Sequence, residues 1–132
     1  MSKETKIAEL IERADRLLDT LQSEHKGKST TINFRRDYLL WYVEARRIIV
    51  QVEPDLLFEF DCLYSERNRT TLNESNYCIR DYILLTFPPR DPIIFFQRWF
   101  KEFHPTYMRM QAQRQLLEAC RLKTEEITNG IS

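Results

Sequence analysis

Apolar residues recur along this chain at spacings of three and four, which is typical of amphipathic α-helices. The first stripe predicts a helix over residues 3–24, with Ser2 as its cap and Glu4 at the positive end of the helix dipole. The second predicts a helix over residues 34–52, capped by Asn33. The apolar positions of the two stripes are Ile7, Leu10, Ile11, Ala14, Leu17, Leu18 and Leu21, then Phe34, Tyr38, Trp41, Ala45, Ile48 and Val52.

Residues 25–33 between these helices are polar and contain Gly27, so they predict a linker. Such a linker leaves open whether helix 3–24 packs on its own domain or against a helix of a partner. We favour packing within the domain, because roughly two to three heptads are fewer than a coiled coil usually needs.

The middle of the chain predicts two shorter helices. Pro54 suits the first position of a helix whose buried side comprises Leu56, Leu57, Phe60, Leu63 and Tyr64. A polar loop follows, and then a helix over about residues 74–86, for which Asn73 competes as the cap with a Thr71–Glu74 capping box. A strand over residues 77–87 is the alternative by propensity, although no partner strand is visible.

The last part of the chain predicts two more helices. One should run over about residues 92–103 with Pro92 at its start, and Pro105 should end or kink it. The other should run over about residues 106–128 and stop before Gly130. With only two Gly and five Pro, the chain is poor in turn residues, so we predict a single domain, residues 1–132, folded as a compact all-α bundle of five to six helices.

Charge and composition exclude several function classes. Lys plus Arg and Asp plus Glu both number 20, and this balance argues against a dedicated nucleic-acid binder. No apolar run approaches the roughly 20 residues that span a bilayer, and the first residues are too charged for a signal peptide. The odd number of cysteines, Cys62, Cys78 and Cys120, favours free thiols in a reducing cytoplasm.

The chain offers no recognisable cofactor, metal or small-molecule substrate site. Its three cysteines and two histidines are well separated, whereas a structural zinc site needs four clustered ligands. A glycine loop for phosphate is excluded, because Gly27 and Gly130 are the only glycines. We therefore predict neither a metal nor a cofactor.

Aromatic residues are concentrated near residues 93–103, where apolar side chains occupy nearly every direction of the predicted helix. A domain of this size has difficulty burying all of them, and exposed apolar patches mark interfaces. The sequence therefore predicts a non-enzymatic interaction or regulatory module that binds another protein or itself. Its predicted contact residues are Phe95, Phe96, Trp99 and Phe103.

Arg98 and His104 offer an enzymatic alternative. Five residues separate them, and this spacing resembles the arginine–histidine motif of the HEPN ribonucleases, which are small all-α domains. The resemblance implies metal-independent RNA cleavage, with the arginine stabilising charge and the histidine moving a proton. We favour the structural interpretation, in which Arg98 is a solvated helix residue and His104 a helix cap beside Pro105, because six positions on an ideal helix are about 120° apart.

Several segments of the chain, taken in order, match the pattern of a known type of helical module. They are Trp41-Tyr42-Val43-Glu44-Ala45, then Pro54-Asp55-Leu56 with Phe60, Leu63 and Tyr64, and then Tyr77-Cys78-Ile79-Arg80-Asp81-Tyr82. Together with Met110-Gln111-Ala112-Gln113 through Leu116-Leu117, which is similar to a Gln-rich last helix, they resemble an all-helical module of uncharacterised bacterial proteins, over about two thirds of the chain. The resemblance implies a context in bacterial mobile-element or phage-defence systems, and it implies no catalytic residues.

Overall fold

The computed structural model describes residues 2–27, 33–70, 72–84 and 103–128, and every regular element in these ranges is helical. It therefore confirms the predicted compact all-α fold. The elements are α1 (Lys3–His25), α2 (Phe34–Val52), a 3₁₀ turn (Pro54–Leu56), α3 (Leu57–Tyr64), α4 (Ile79–Ile83) and α5 (Phe103–Thr128). None of the helices in the described part of the chain has the length and apolarity needed to cross a bilayer.

The two long N-terminal helices begin at the predicted caps. The Ser2 side chain accepts a hydrogen bond from the Thr5 amide at 3.2 Å, and the Asn33 side chain accepts one from the Arg36 amide at 3.0 Å. Each cap satisfies a backbone donor that the first turn leaves without a partner. After α1, Gly27 has a φ of 77°, a left-handed conformation that glycine adopts without a steric penalty.

The core lies between α1, α2 and α5, with α3 and α4 closing one side. The predicted stripes of α1 and α2 both face this core, so α1 packs on its own domain. Trp41 is at the centre, fully buried, and its indole Nε1 donates to the Leu10 carbonyl at 2.8 Å. That hydrogen bond satisfies the one polar atom of the largest core side chain.

The fourth helix is shorter than predicted. It begins at Ile79, because the Asn73 side chain accepts hydrogen bonds from the Ser75 and Asn76 amides and so forms a turn where the helix was expected to start. Asn73 was therefore wrong as the cap, and Thr71 of the alternative capping box lies outside the described residues. The cap is Cys78, whose amide donates to the Asp81 side chain at 2.9 Å.

The last helix begins earlier than predicted. α5 starts at Phe103 and continues through Pro105, which was expected to end or kink a preceding helix. Pro105 lies in the first turn of α5, where an amide has no intrahelical partner, so its missing N–H removes no hydrogen bond. The helix predicted over residues 92–103 lies outside the described residues, except for Phe103.

Candidate functional site

Of the site residues that the sequence predicts, the structure describes Phe103 and His104, both in the first turn of α5. Phe103 is half-buried, and its ring stacks on His25 with a centroid distance of 4.1 Å and an interplanar angle of 9°. Phe103 thus makes ring contacts within the domain. The remaining predicted residues, Phe95, Phe96, Arg98 and Trp99, lie outside the described residues and stay predictions.

His104 is exposed at the edge of an acidic cleft of about 430 Å³ between α3, α5 and the loop before α4. Three carboxylates, those of Glu59, Glu66 and Glu74, line this acidic cleft. Clustered carboxylates repel a phosphodiester backbone. The surroundings of His104 therefore do not favour RNA as a ligand.

Arg109 lines the acidic cleft, and its guanidinium connects three segments of the protein. It donates to the Cys62 carbonyl at 3.1 Å and to the Ser75 carbonyl at 3.0 Å, and it lies 3.3 Å from a carboxylate oxygen of Glu66. These contacts join α5 to the end of α3 and to the loop before α4. Because its donors are engaged in this way, Arg109 is a structural residue of the cleft wall.

The three cysteines form no disulfide bond in the described part of the chain, and two of them, Cys78 and Cys120, are buried. Burial raises the pKa of the Cys78 thiol, and it raises the pKa of Cys120 to about 11. Both thiols are therefore protonated at neutral pH, whereas a nucleophilic cysteine acts as its thiolate. Among the residues that the structure describes, no three His, Cys, Asp or Glu side chains are grouped so that they could hold a metal ion.

The solvent side of α2 carries apolar side chains that the core does not cover. Leu40 is 65% exposed, and Leu39, Val43 and Val50 are each at least 40% exposed. Arg36, Arg46 and Arg47 are exposed on the same side of the helix. We call these seven residues, at positions 36, 39, 40, 43, 46, 47 and 50, the α2 outer face.

The α2 outer face has no carboxylate of its own. The two acidic residues of α2 are Asp37, which pairs with Arg36 at 3.1 Å, and Glu44, which faces Lys6 and Arg13 of α1. Arg47 forms no ion pair within the described ranges. This surface is thus apolar, and Arg47 is its positive charge that no carboxylate of the described residues balances.

Arg46 connects the α2 outer face to a second, larger cleft. Its Nε lies 3.1 and 3.2 Å from the two carboxylate oxygens of Asp61 on α3, and the Tyr42 hydroxyl donates to the same carboxylate. Burial raises the pKa of Tyr42 strongly, and the hydrogen bond to Asp61 adds to this shift. Tyr42 therefore stays neutral and remains a donor.

The larger cleft has a volume of about 910 Å³ and is bounded by α2, α3, α4 and the loop after α3. We call it the arginine cleft, because Arg46, Arg67 and Arg80 line it. Its aromatic lining residues are Tyr42, Phe58 and Tyr64. Asn68 at its edge has a φ of 64°, a left-handed conformation that asparagine tolerates better than most residues.

Sequence reasoning missed both of these surfaces. It could not show which arginines are paired: Arg36 and Arg46 form exposed salt bridges, and Arg69 pairs with the buried Asp81. It had one usable signal for the α2 outer face, since Leu39, Val43 and Val50 recur at helical spacing opposite the Trp41 stripe. For the arginine cleft no local signal exists, because Arg67 and Arg80 meet only through the fold.

No protein-family model, curated protein or solved structure matches this chain.

Proposed function

We propose that this chain is a non-enzymatic module that binds a partner protein through the α2 outer face. The partner is an amphipathic helix with acidic residues beside its apolar stripe. Following the resemblance to helical bacterial modules, we place the interaction in the cytoplasm, in an accessory role in a mobile-element or phage-defence system. The three free thiols suit that reducing compartment.

The observation that carries this proposal is the row of exposed apolar side chains on α2. Leu39, Val43 and Val50 recur at spacings of four and seven residues, and Leu40 lies beside them. Helices bind in apolar grooves and seams through side chains spaced in this way. Contiguous exposed apolar surface of this kind marks protein interaction sites.

The charge of the α2 outer face decides between kinds of partner. In a two-fold contact of two copies through this face, each copy would bring the same arginines, Arg36, Arg46 and Arg47, and no carboxylate of the face itself. Like charges at an interface are unfavourable, whereas an acidic partner is attracted and oriented by this face. We therefore favour a different protein over self-association.

The surroundings of His104 weigh in favour of an interaction module over the ribonuclease alternative. An RNA-cleaving site needs cations around the scissile phosphate, whereas His104 lies among the carboxylates of Glu59, Glu66 and Glu74. Arg98, the other residue of that alternative, lies outside the described residues. Loss of RNA cleavage on His104→Ala substitution would support the enzyme instead.

The test is selection from a displayed library of helical peptides against the purified chain, followed by affinity measurements. We expect the selected peptides to combine an apolar stripe with Asp and Glu. Val43→Glu should weaken their binding by about tenfold or more, because it places a charge in the apolar contact. Arg47→Glu should weaken it as well, and more strongly at low salt.

Leu122→Glu is the matched control, since Leu122 is 54% exposed on α5 and lies outside the α2 outer face. It should leave the affinity of the selected peptides unchanged. Circular dichroism verifies that all three variants fold. Peptides that bind the Val43→Glu variant as tightly as the unchanged chain would contradict the proposal, and so would a stable dimer in light scattering that Val43→Glu dissociates.

A further inference from the structure

We propose that the arginine cleft binds a small ligand with phosphate groups and a flat ring, of the nucleotide class. The inference goes beyond the interaction module and does not depend on it. The two surfaces share only Arg46, and the ligand would occupy the cleft between α2, α3 and α4, whereas the partner helix would lie on the solvent side of α2.

Among the described residues, two cations of the arginine cleft have no counter-charge. The lining carboxylates are Asp61, which Arg46 pairs at 3.1 Å, and Glu66, which Arg109 pairs from outside the cleft at 3.3 Å. Arg67 and Arg80 are exposed, and neither side chain has an ion pair or a hydrogen bond to the described part of the protein. With nothing in the described part of the chain engaging their guanidinium groups, these two arginines suit an anionic ligand.

Arginine is suited to phosphate because its planar guanidinium donates two parallel hydrogen bonds to one phosphate group. Most other arginines of the domain are committed elsewhere. Arg69 pairs with Asp81, Arg109 with Glu66, and Arg114 with Asp15 at 2.6 Å. Arg67 and Arg80 differ from these in facing one cleft without such a partner in the ranges that the structure describes.

The aromatic lining of the arginine cleft is the reason for proposing a ligand with a flat ring. Tyr42 and Tyr64 lie with ring centroids 4.6 Å apart at the cleft wall. Phe58 is 81% exposed at the same cleft, and its ring has no aromatic contact within the described residues. An exposed aromatic ring beside uncompensated arginines offers a flat ligand both a stacking surface and an anion site.

The walls of the cleft are held in place without a ligand. Arg69 fixes the loop that carries Arg67, because its guanidinium donates to the Asn76 carbonyl at 3.1 Å and pairs with Asp81 of α4. The carboxylate of Asp61 joins α2 to α3 across the cleft wall. A cleft of about 910 Å³ is also within the range of small-molecule sites, about 300–1,000 Å³.

Isothermal titration calorimetry with the full chain tests the proposal, with ATP, tripolyphosphate and adenosine as separate probes. We expect ATP to bind about tenfold more tightly than tripolyphosphate, and adenosine to bind more weakly than either. Arg67→Gln and Arg80→Gln should each weaken ATP binding by about tenfold or more. Phe58→Ala should weaken the binding of ATP but not that of tripolyphosphate.

Arg47→Gln is the matched control, because it removes the same charge from an exposed arginine outside the cleft. It should leave the affinity for ATP within about twofold of the unchanged chain. Equal losses in Arg47→Gln and Arg67→Gln would overturn the proposal, since they would indicate non-specific attraction. No measurable binding of ATP would overturn it, and so would equal affinities for ATP and tripolyphosphate or tighter binding of an acidic peptide to the cleft.

Discussion

Asp81 is a charged residue that the fold buries, with only 3% of its surface exposed. Its carboxylate pairs with Arg69 and accepts hydrogen bonds from the Cys78 amide at 2.9 Å and the Cys78 thiol at 3.0 Å. Burial alone would raise the pKa of Asp81, but the hydrogen bonds from Arg69 and Cys78 outweigh it and hold that pKa below its ordinary value of 3.8. The ionised carboxylate of Asp81 therefore stabilises the folded state.

Asp81→Asn should lower the free energy of unfolding by about 2–3 kcal/mol at neutral pH, because it leaves the Arg69 guanidinium without its counter-charge. The folded-state pKa is lowered, so the stabilisation is present above 3.8 and is lost as the pH falls through the folded value. Urea unfolding at several pH values should show that the difference in free energy of unfolding between the unchanged chain and Asp81→Asn becomes smaller in acid.

Asp19→Asn is the control for this prediction, since Asp19 is exposed on α1 and forms no ion pair with the described part of the chain. It should change the free energy of unfolding by no more than about 0.5 kcal/mol. A difference between unchanged chain and Asp81→Asn that does not narrow on acidification would contradict the role of the charge.

At the scale of elements, α5 joins the other helices through a buried amide. Gln113 is fully buried; its Oε1 accepts from the Tyr38 hydroxyl at 2.6 Å, and its Nε2 donates to the Phe60 carbonyl at 3.1 Å. One side chain of α5 thus satisfies polar groups of both α2 and α3. Buried polar groups with complete partners fix one arrangement of packed helices, because any other arrangement leaves them unsatisfied.

Gln113→Ala should therefore lower the free energy of unfolding by about 2–3 kcal/mol, since it leaves the Tyr38 hydroxyl buried without its partner and removes the hydrogen bond to the Phe60 carbonyl. Gln115→Ala on the same helix is the control, because Gln115 is exposed, and its effect should be within about 0.5 kcal/mol. Chemical denaturation measures both. Equal effects of the two substitutions would show that the buried amide does not fix the packing of α5.

At the scale of the whole molecule, the three long helices meet at Trp41. Its ring centroid lies 5.7 Å from that of Tyr38 and 6.0 Å from that of Phe60. The surrounding core also contains Ile7 and Leu117. A domain of this size has a total stability of about 5–15 kcal/mol. A single central side chain therefore accounts for a large share of what keeps the molecule folded.

Trp41→Ala should reduce the free energy of unfolding by about 3–5 kcal/mol, because it removes buried surface and leaves a cavity. Trp41→Phe keeps most of the volume and should have a clearly smaller effect. Thermal unfolding followed by circular dichroism measures the two. If Trp41→Ala melts within a few degrees of the unchanged chain, the core is not centred on this residue.

The sequence by itself determined α1, α2 and the start of the third helical segment at Pro54. Their signals are local: a three-to-four spacing of apolar residues, and caps such as Ser2 and Asn33 that act within one turn. It also determined the all-α class. It did not determine the start of α4, because the cap at Cys78 depends on Asp81, whose charge is balanced by Arg69 twelve residues earlier.

Only the tertiary structure decided which surfaces are available for binding. A stripe at helical spacing predicts that a side of α2 is buried, but which apolar residues stay uncovered, such as Leu40 and Val43, depends on where α1 and α5 pack. Arg67 and Arg80 are thirteen positions apart and belong to different elements, and the loop between them places both at one cleft. Distance along a chain does not encode proximity in space, so local patterns predict helices, and the sites between helices follow only from their packing.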